Sequence, residues 1–198
     1  MKPKVEVISE PYIEVPQLGL AIAKELSLGG EDKNWWGCQW ETLFHPEEGR
    51  MLTLYEFAKF LDFLKTSEDS ENEGIYGKIL KPKAYHFEAI DARFERASNG
   101  LYMYTDNQKF PDGTCPKEKI IDGLREHRFE GINLEEWTSN PTSQGLPREN
   151  IGKGNLRYHA PSDGSVAVFQ SHNNRKIDLE LCSYGGCHIG LRLAKPLR

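Results

Sequence analysis

The sequence has few cysteines and no long apolar run. Its 198 residues include four cysteines, none of them in Cys-x-x-Cys spacing, which is too few for the disulfide framework of a small secreted protein. No apolar stretch approaches the roughly 20 residues of a membrane-spanning helix, and Lys2, Lys4 and Glu6 lie where a signal peptide needs apolar residues. We therefore expect reduced cysteines, no signal peptide, no membrane insertion, and a soluble protein whose location, in the cytoplasm or on a virion, the sequence leaves open.

The sequence also lacks a large excess of either charge. It has 25 Lys and Arg against 30 Asp and Glu, which gives a net charge of −5, and the two signs are mixed along the chain. No basic patch with interleaved aromatic residues is present, so we expect no nucleic-acid partner. The 38% hydrophobic content is enough to bury one core, and no break in composition marks a boundary. These features favour a single domain over residues 1–198.

The common catalytic and cofactor-binding motifs are missing as well. There is no Gly-x-Ser-x-Gly segment for a nucleophile and no glycine spacing suited to a phosphate group. The six histidines include no His-x-x-x-His pair for a metal. Asp178 and Glu180 could form an acid/base or cation pair on one strand face, although solvated surface carboxylates are commoner. The sequence therefore predicts a protein that is not an enzyme and needs no cofactor.

The first third of the chain predicts two helices. Residues 16–26 have helical spacing, with a proline at the first turn, after an extended segment at 12–15. Thr53 and Glu56 form a capping box, and apolar residues then recur at helical spacing over 54–65.

Two other features of this region predict core packing and a loop. Trp35, Trp36 and Trp40 are concentrated in one short segment, which more often packs in a core than lines a pocket. Residues 66–77 are acidic and small, with almost nothing to bury, so they are expected to form a solvated loop.

The rest of the chain predicts mainly short strands. Residues 89–94 and 101–104 flank Asn99-Gly100, a strong hairpin turn. Strands joined by long connections, after the helices, predict an α+β domain. The remaining predicted elements are a helical turn or two within 117–129, a short helix capped by Asn133, and a strand at 156–159.

The stretch from Gly164 to Lys195 carries three short apolar segments, which predict strands at 166–169, 177–181 and 189–193. Because side chains change face at every residue of a strand, one face of these strands should build a core. The other face, with the polar links 171–176 and 182–188, is expected to be a binding surface. The expected core positions are Val166, Phe169, Ile177, Leu179, Leu181, Leu191 and Leu193.

The second polar link contains two cysteines and a histidine. Cys182, Cys187 and His188 could hold zinc with one further ligand, since thiolate and imidazole are its preferred partners. The two thiols could instead form a labile disulfide, or all three residues could be ordinary exposed loop residues. Their spacing fits no recurrent metal site.

The order of the C-terminal segments resembles a known family. The segments SVAVF, IDLEL and GLRLAK, preceded by LEEWTSNPTSQGLPRENIGKGNLRYHAPSDGSV, resemble the variable proteins of diversity-generating retroelements, in particular archaeal and archaeal-virus members with a C-type lectin fold. The resemblance covers about residues 35–193. It implies two helices that brace small twisted antiparallel sheets, and an unknown protein or surface ligand as partner.

The resemblance also implies that an error-prone reverse transcriptase rewrites codons at template adenines in the region of about 165–190. The rewritten codons have the form NNY, which cannot encode Lys, Glu, Gln, Met or Trp. Gln170, Lys176 and Glu180 are therefore poorer candidates for variable positions. The candidate ligand-binding residues that satisfy the rule are Val168, His172, Asn173, Asn174, Asp178, Cys182, Ser183, Tyr184, Gly186, Cys187 and His188.

Two alternatives share the same fold. Formylglycine-generating sulfatase modifiers end in a segment similar to Gly190-Leu191-Arg192-Leu193, but they also carry a Gly-Gly-Ser-Trp-like segment that this chain lacks. A viral or cell-surface adhesion module without a retroelement would differ only in having no variable repeat in its gene.

Overall fold

The chain forms four α-helices, a short 3-10 helix (Pro16–Leu18) and eleven strands in the part that the structure describes. The structure is a computed structural model, and it describes residues 11–26, 34–44, 49–82, 85–105, 115–174, 176–183 and 189–197. In chain order the elements are β1 (Tyr12–Val15), β2 (Leu20–Ala23), α1 (Trp35–Phe44), α2 (Leu54–Thr66), α3 (Ser70–Leu80), β3 (Tyr85–Ala97), β4 (Gly100–Tyr104), β5 (Lys117–Lys119), β6 (Arg128–Ile132), α4 (Leu134–Ser139), β7 (Leu156–His159), β8 (Ser165–His172), β9 (Ile177–Ser183), β10 (Gly190–Leu191) and β11 (Ala194–Pro196).

The strands form two sheets, and their arrangement with the helices confirms the α+β class. The small sheet has the order β1-β2-β11, and the large sheet runs β5-β4-β3-β8-β9-β7-β6 with β10 beside β3. The expectation of small antiparallel sheets is wrong in part, because β7 with β9 and β10 with β3 are parallel and the large sheet has eight strands. Among the described residues, no helix is both long enough and apolar enough to cross a membrane.

Helix α2 is confirmed, and its capping box forms as predicted. The Thr53 side chain accepts a hydrogen bond from the Glu56 backbone, and the Glu56 carboxylate accepts one from the Thr53 backbone. This pair satisfies two amides that a helix start would otherwise leave without partners. The apolar side of α2 is buried, and Phe57 lies against Phe169 of β8 with ring centroids 5.1 Å apart.

The large sheet is buried on both faces near its centre. Ala167 and Phe169 of β8 belong to a main core with α2 and α3. Val166 and Val168 point the other way into a second core that includes Trp35 of α1, whose indole N–H donates to the Ile90 carbonyl at 2.8 Å. The tryptophan-rich segment thus supplies a buried Trp35, while Trp36 is 45% exposed. All seven expected core positions are buried.

Three predictions for local structure are wrong. Residues 16–26 do not form the expected long helix: a 3-10 turn at Pro16–Leu18 ends at Gly19, which takes a left-handed conformation (φ 64°), and Leu20–Ala23 then pairs with Tyr12–Val15. Residues 66–77 belong largely to α3, which Asp69 caps and whose Ile75 and Ile79 are buried. Residues 117–129 contribute β5 and the start of β6; β5 pairs with β4 as a charged edge strand.

A buried ion pair ties the C-terminal residues to both sheets. Arg192 Nε donates to Glu88 Oε1 at 2.9 Å, and its Nη1 donates to the carbonyls of Ala23 at 2.8 Å and Lys24 at 2.6 Å. Glu88 lies on β3 of the large sheet, and Ala23 ends β2 of the small one. Burial alone would raise the pKa of Glu88, but Arg192 and His86 together hold it below the usual glutamate value.

We expect Phe169→Ala to lower the free energy of unfolding by about 3–5 kcal/mol, because it empties a fully buried ring site beside Phe57. Urea denaturation monitored by circular dichroism measures this loss. Asn173→Ala, at an exposed turn position, is the matched control and should change stability by about 0.5 kcal/mol or less. Equal losses in the two variants would contradict the placement of β8.

We expect Arg192→Met to cost about 3–5 kcal/mol, because it leaves Glu88 buried without its cation. The double variant Arg192→Met/Glu88→Leu should recover much of that loss, since it removes both charges. A lowered pKa means that Glu88 stabilises the fold at pH values above the ordinary glutamate pKa and loses this contribution as the pH falls through the lowered value. Denaturant unfolding of the three proteins at neutral and acidic pH tests both statements; a double variant as unstable as the single one would refute the assignment.

Candidate binding surface

One face of the large sheet is open beyond the second core. Strands β6, β7, β9, β8 and β3 are neighbours, and their alternate side chains on this side form a continuous surface that we call the outer face. Register places Arg157 beside Asp178, Asp178 beside Gln170, and Gln170 beside Phe87. The outer face consists of Tyr85, Phe87, His127, Phe129, Arg157, His159, Gln170, His172, Asp178 and Glu180.

The middle of the outer face is a polar group built around Asp178. The Oδ1 atom of Asp178 lies 3.2 Å from Arg157 Nε and 3.4 Å from His159 Nε2. Asp178 is only 4% exposed, so these two neighbours replace most of the water that its carboxylate would otherwise bind. The Arg157 side chain itself stays 40% exposed.

Glu180 lies on the same strand as Asp178, β9, but in a different electrostatic environment. It is half-buried, and Gln170 of the neighbouring strand β8 lies near it on the same face. Burial and, to a lesser degree, the nearby carboxylate of Asp178 raise the pKa of Glu180, and they outweigh the opposing effects of His159, Arg157 and Gln170. The folded protein therefore disfavours the charged form of Glu180, and a further cation beside the carboxylate would stabilise that form.

Aromatic side chains flank the polar group at the β3 end. Tyr85 stacks on Phe87 with centroids 6.1 Å apart, and the His172 ring meets Tyr85 edge-on at 4.8 Å. Tyr85 is 69% exposed, so this cluster presents ring area to the solvent. Such rings bind partners at low entropic cost because few side-chain torsions have to be fixed.

A second aromatic group lies at the β6 end. The rings of His127 and Phe129 stack with centroids 5.1 Å apart, and His159 meets Phe129 edge-on at 5.3 Å. Phe129 is 58% exposed. Four strand spacings separate β6 from β3, which places the two aromatic groups about 19 Å apart across the sheet.

The structure brings together only part of the sequence-predicted site. His172 lies on the outer face, Asn173 and Asn174 are exposed in the turn between β8 and β9, and Ser183 is half-buried at the end of β9. Cys182 belongs to β9, but its side chain lies outside the described residues. The same is true of Tyr184, Gly186, Cys187 and His188. The zinc and disulfide hypotheses depend on these residues and stay predictions.

Two predicted site residues are not exposed. Val168 was expected at the surface, but it is 2% exposed and packs in the second core, because β8 carries apolar residues on both faces. Asp178 was expected to be a free polar contact, but it is almost fully buried beside Arg157 and His159. Both residues support the surface instead of forming its outermost layer.

The sequence reasoning missed the residues that neighbouring strands contribute. Tyr85, Phe87, Phe129, Arg157 and His159 all precede the C-terminal stretch in which the site was sought. Alternation along β7 could have placed Arg157 and His159 on one face, as it does in the structure. The parallel pairing of β7 with β9 places them beside Asp178 and Glu180. No pattern within either segment alone predicts this pairing.

The outer face is better suited to a ligand than two cavities elsewhere. One cavity of about 200 Å³ is lined in part by Lys24, Lys78 and Arg192, and each of these cations is already paired with a glutamate. Another of about 260 Å³ lies beside the start of α2, lined in part by Thr53 and Gln144. No cluster of three or more potential metal ligands occurs among the described residues.

Comparisons of the chain with protein-family models, with curated proteins and with solved structures found no match.

We expect Glu180→Gln to leave the free energy of unfolding at neutral pH unchanged or slightly raised, because the folded state disfavours the charged form of Glu180. Wild type should gain stability relative to this variant as the pH falls through the raised pKa toward the ordinary glutamate value. Glu56→Gln is the matched control, and its effect on stability should have the opposite sign. Burial alone would raise the pKa of Glu56, but Arg50 lowers it below the usual glutamate value. Urea unfolding at neutral and mildly acidic pH checks the pair; a destabilised Glu180→Gln protein at neutral pH would contradict the described environment.

Proposed function

We propose that this chain is a ligand-binding protein with a C-type lectin-like fold, of the variable type that diversity-generating retroelements rewrite, and not an enzyme. The observation that carries the proposal is the outer face: an open surface with exposed rings at both ends, held on strands whose opposite side packs in the main core. A surface supported in this way can change side chains without a change of backbone. The exposed turn at Asn173 and Asn174 borders it.

The arrangement of the C-terminal segments supports the resemblance. The segments SVAVF and IDLEL lie within β8 and β9, which pair with each other in the middle of the large sheet. The segment GLRLAK runs from β10 into β11, so its residues join the large sheet to the small one. Each of the three segments thus takes part in strand pairing. This is expected if these segments are constant in sequence and the residues between them vary.

Burial narrows the set of residues that can vary. Val168 fills the second core, and Asp178 neutralises Arg157, so a random residue at either position would cost stability. We therefore expect both positions to stay constant. The remaining candidates are His172, Asn173, Asn174, Cys182, Ser183, Tyr184, Gly186, Cys187 and His188.

Sequencing of the gene and its downstream DNA from many isolates tests this proposal. We expect a near-identical repeat in which adenines correspond to the codons for His172, Asn173, Asn174 and Ser183, and a neighbouring reverse transcriptase gene. Codons for Phe169, Leu179 and Leu181 are the internal control, and they should stay constant because these residues are buried. A gene without such a repeat would leave only a non-diversified adhesion module, and substitutions that are equally frequent in core codons would refute a display surface altogether.

A further inference from the structure

We propose that the outer face contains a subsite for an arginine side chain of a protein partner, formed by Glu180 and Gln170 together with the ring of Phe129. This inference rests on the proposed binding function and adds to it the chemistry of one contact. We call these three residues the guanidinium subsite.

Of the two carboxylates on the outer face, Glu180 is the one that remains available to bind a ligand. Asp178 is buried, and it is already held by Arg157 and His159. Glu180 is more exposed, and the neutral amide of Gln170 lies near it on the neighbouring strand β8. Among the residues that the structure describes, no cation forms an ion pair with Glu180, so its carboxylate is open to a cation that approaches the middle of this face.

A histidine and an exposed aromatic ring lie beside that carboxylate. His159 lies opposite Glu180 on the neighbouring strand β7, and the exposed ring of Phe129 packs against His159 on the far side. A guanidinium group is planar, stacks on aromatic rings, and forms paired hydrogen bonds with a carboxylate. An ammonium group can do only part of this, because it is a compact point charge.

Charge complementarity also supports the subsite. The chain carries a net charge of −5, which attracts a basic partner at long range. At short range Arg157 is matched by Asp178, so the pair adds little net charge to the middle of the face. The remaining carboxylate of Glu180 gives this region a negative character that suits a basic segment, and the flanking rings favour a cation over a neutral polar group.

The subsite also differs from the variable positions in what its codons allow. An NNY codon can encode neither Glu nor Gln, so Glu180 and Gln170 would not change when the neighbouring residues do. Phe129 lies well before the rewritten region. The guanidinium subsite is thus a constant contact, and the turn at Asn173 and Asn174 would select among partners that all present an arginine.

A peptide selection followed by a double-mutant cycle tests the subsite on the full chain. Random peptides displayed on phage are selected on the wild type, on Glu180→Gln and on the control Glu73→Gln, whose carboxylate is exposed on α3. We expect arginine to be enriched on the wild type and on the control, and the enrichment to disappear on Glu180→Gln. Circular dichroism of each variant confirms folding, and Phe129→Ala provides a second variant that leaves the carboxylate in place.

In the cycle, the arginine of an enriched peptide is replaced by citrulline, which has the same shape without the charge. This replacement should weaken binding about tenfold on the wild type and have little effect on Glu180→Gln, because the two groups lose the same contact. Phe129→Ala should weaken the arginine peptide several-fold. No arginine enrichment, or an equal citrulline effect on both proteins, would overturn the subsite. The gene-sequencing test is independent, so variable codons without arginine selectivity would overturn the subsite and leave the proposed function standing.

Discussion

The ion pair between Arg192 and Glu88 is the constraint on which the rest of the structure depends. It is almost wholly excluded from solvent, and the arginine also binds two carbonyls at the end of β2. Two charges can be buried together only when their geometry satisfies most of their hydrogen-bonding groups. The pair therefore fixes how the small sheet meets the large one, and with it the position of β3, which carries one aromatic end of the outer face.

The outer face follows from a sheet that is covered unevenly. Near the middle of β8 both sides are buried, since Phe169 faces α2 and Val168 faces the second core. Toward the end of β8, and across β9 and β7, the second core no longer covers the sheet. Polar side chains and half-exposed rings occupy that area. The same alternation thus produces core residues at one end of the strands and the outer face at the other.

Local signals in the sequence predicted the elements whose own residues determine them. The capping box at Thr53 and the turn Asn99-Gly100 both correspond to elements in the structure. Helix α3 was missed because its buried apolar residues lie in its later turns, after a run of acidic residues with the composition of a loop. The segment after Pro16 satisfies helical spacing as well as strand spacing, and only its pairing with β1 decides between them.

The candidate surface was predicted in part for the same reason. Alternation placed Asp178 and Glu180 on one side of β9, and both lie on the outer face. Their environments differ because Arg157 and His159 come from β7, a contact that depends on tertiary register. The exposed rings of Tyr85 and Phe129 belong to strands distant in sequence, so no pattern within the C-terminal stretch could indicate them.

The pairing of β11 with β2 also affects how the molecule is made. Residues 20–22 find their partners at 194–196, so β2 has β1 on one side but lacks its other neighbour while most of the chain is being synthesised on the ribosome. Contacts between residues so far apart in sequence form slowly, and an uncovered strand edge can pair with the wrong chain in the meantime. The small sheet therefore stays incomplete until β11 emerges, and this delay favours assistance from chaperones.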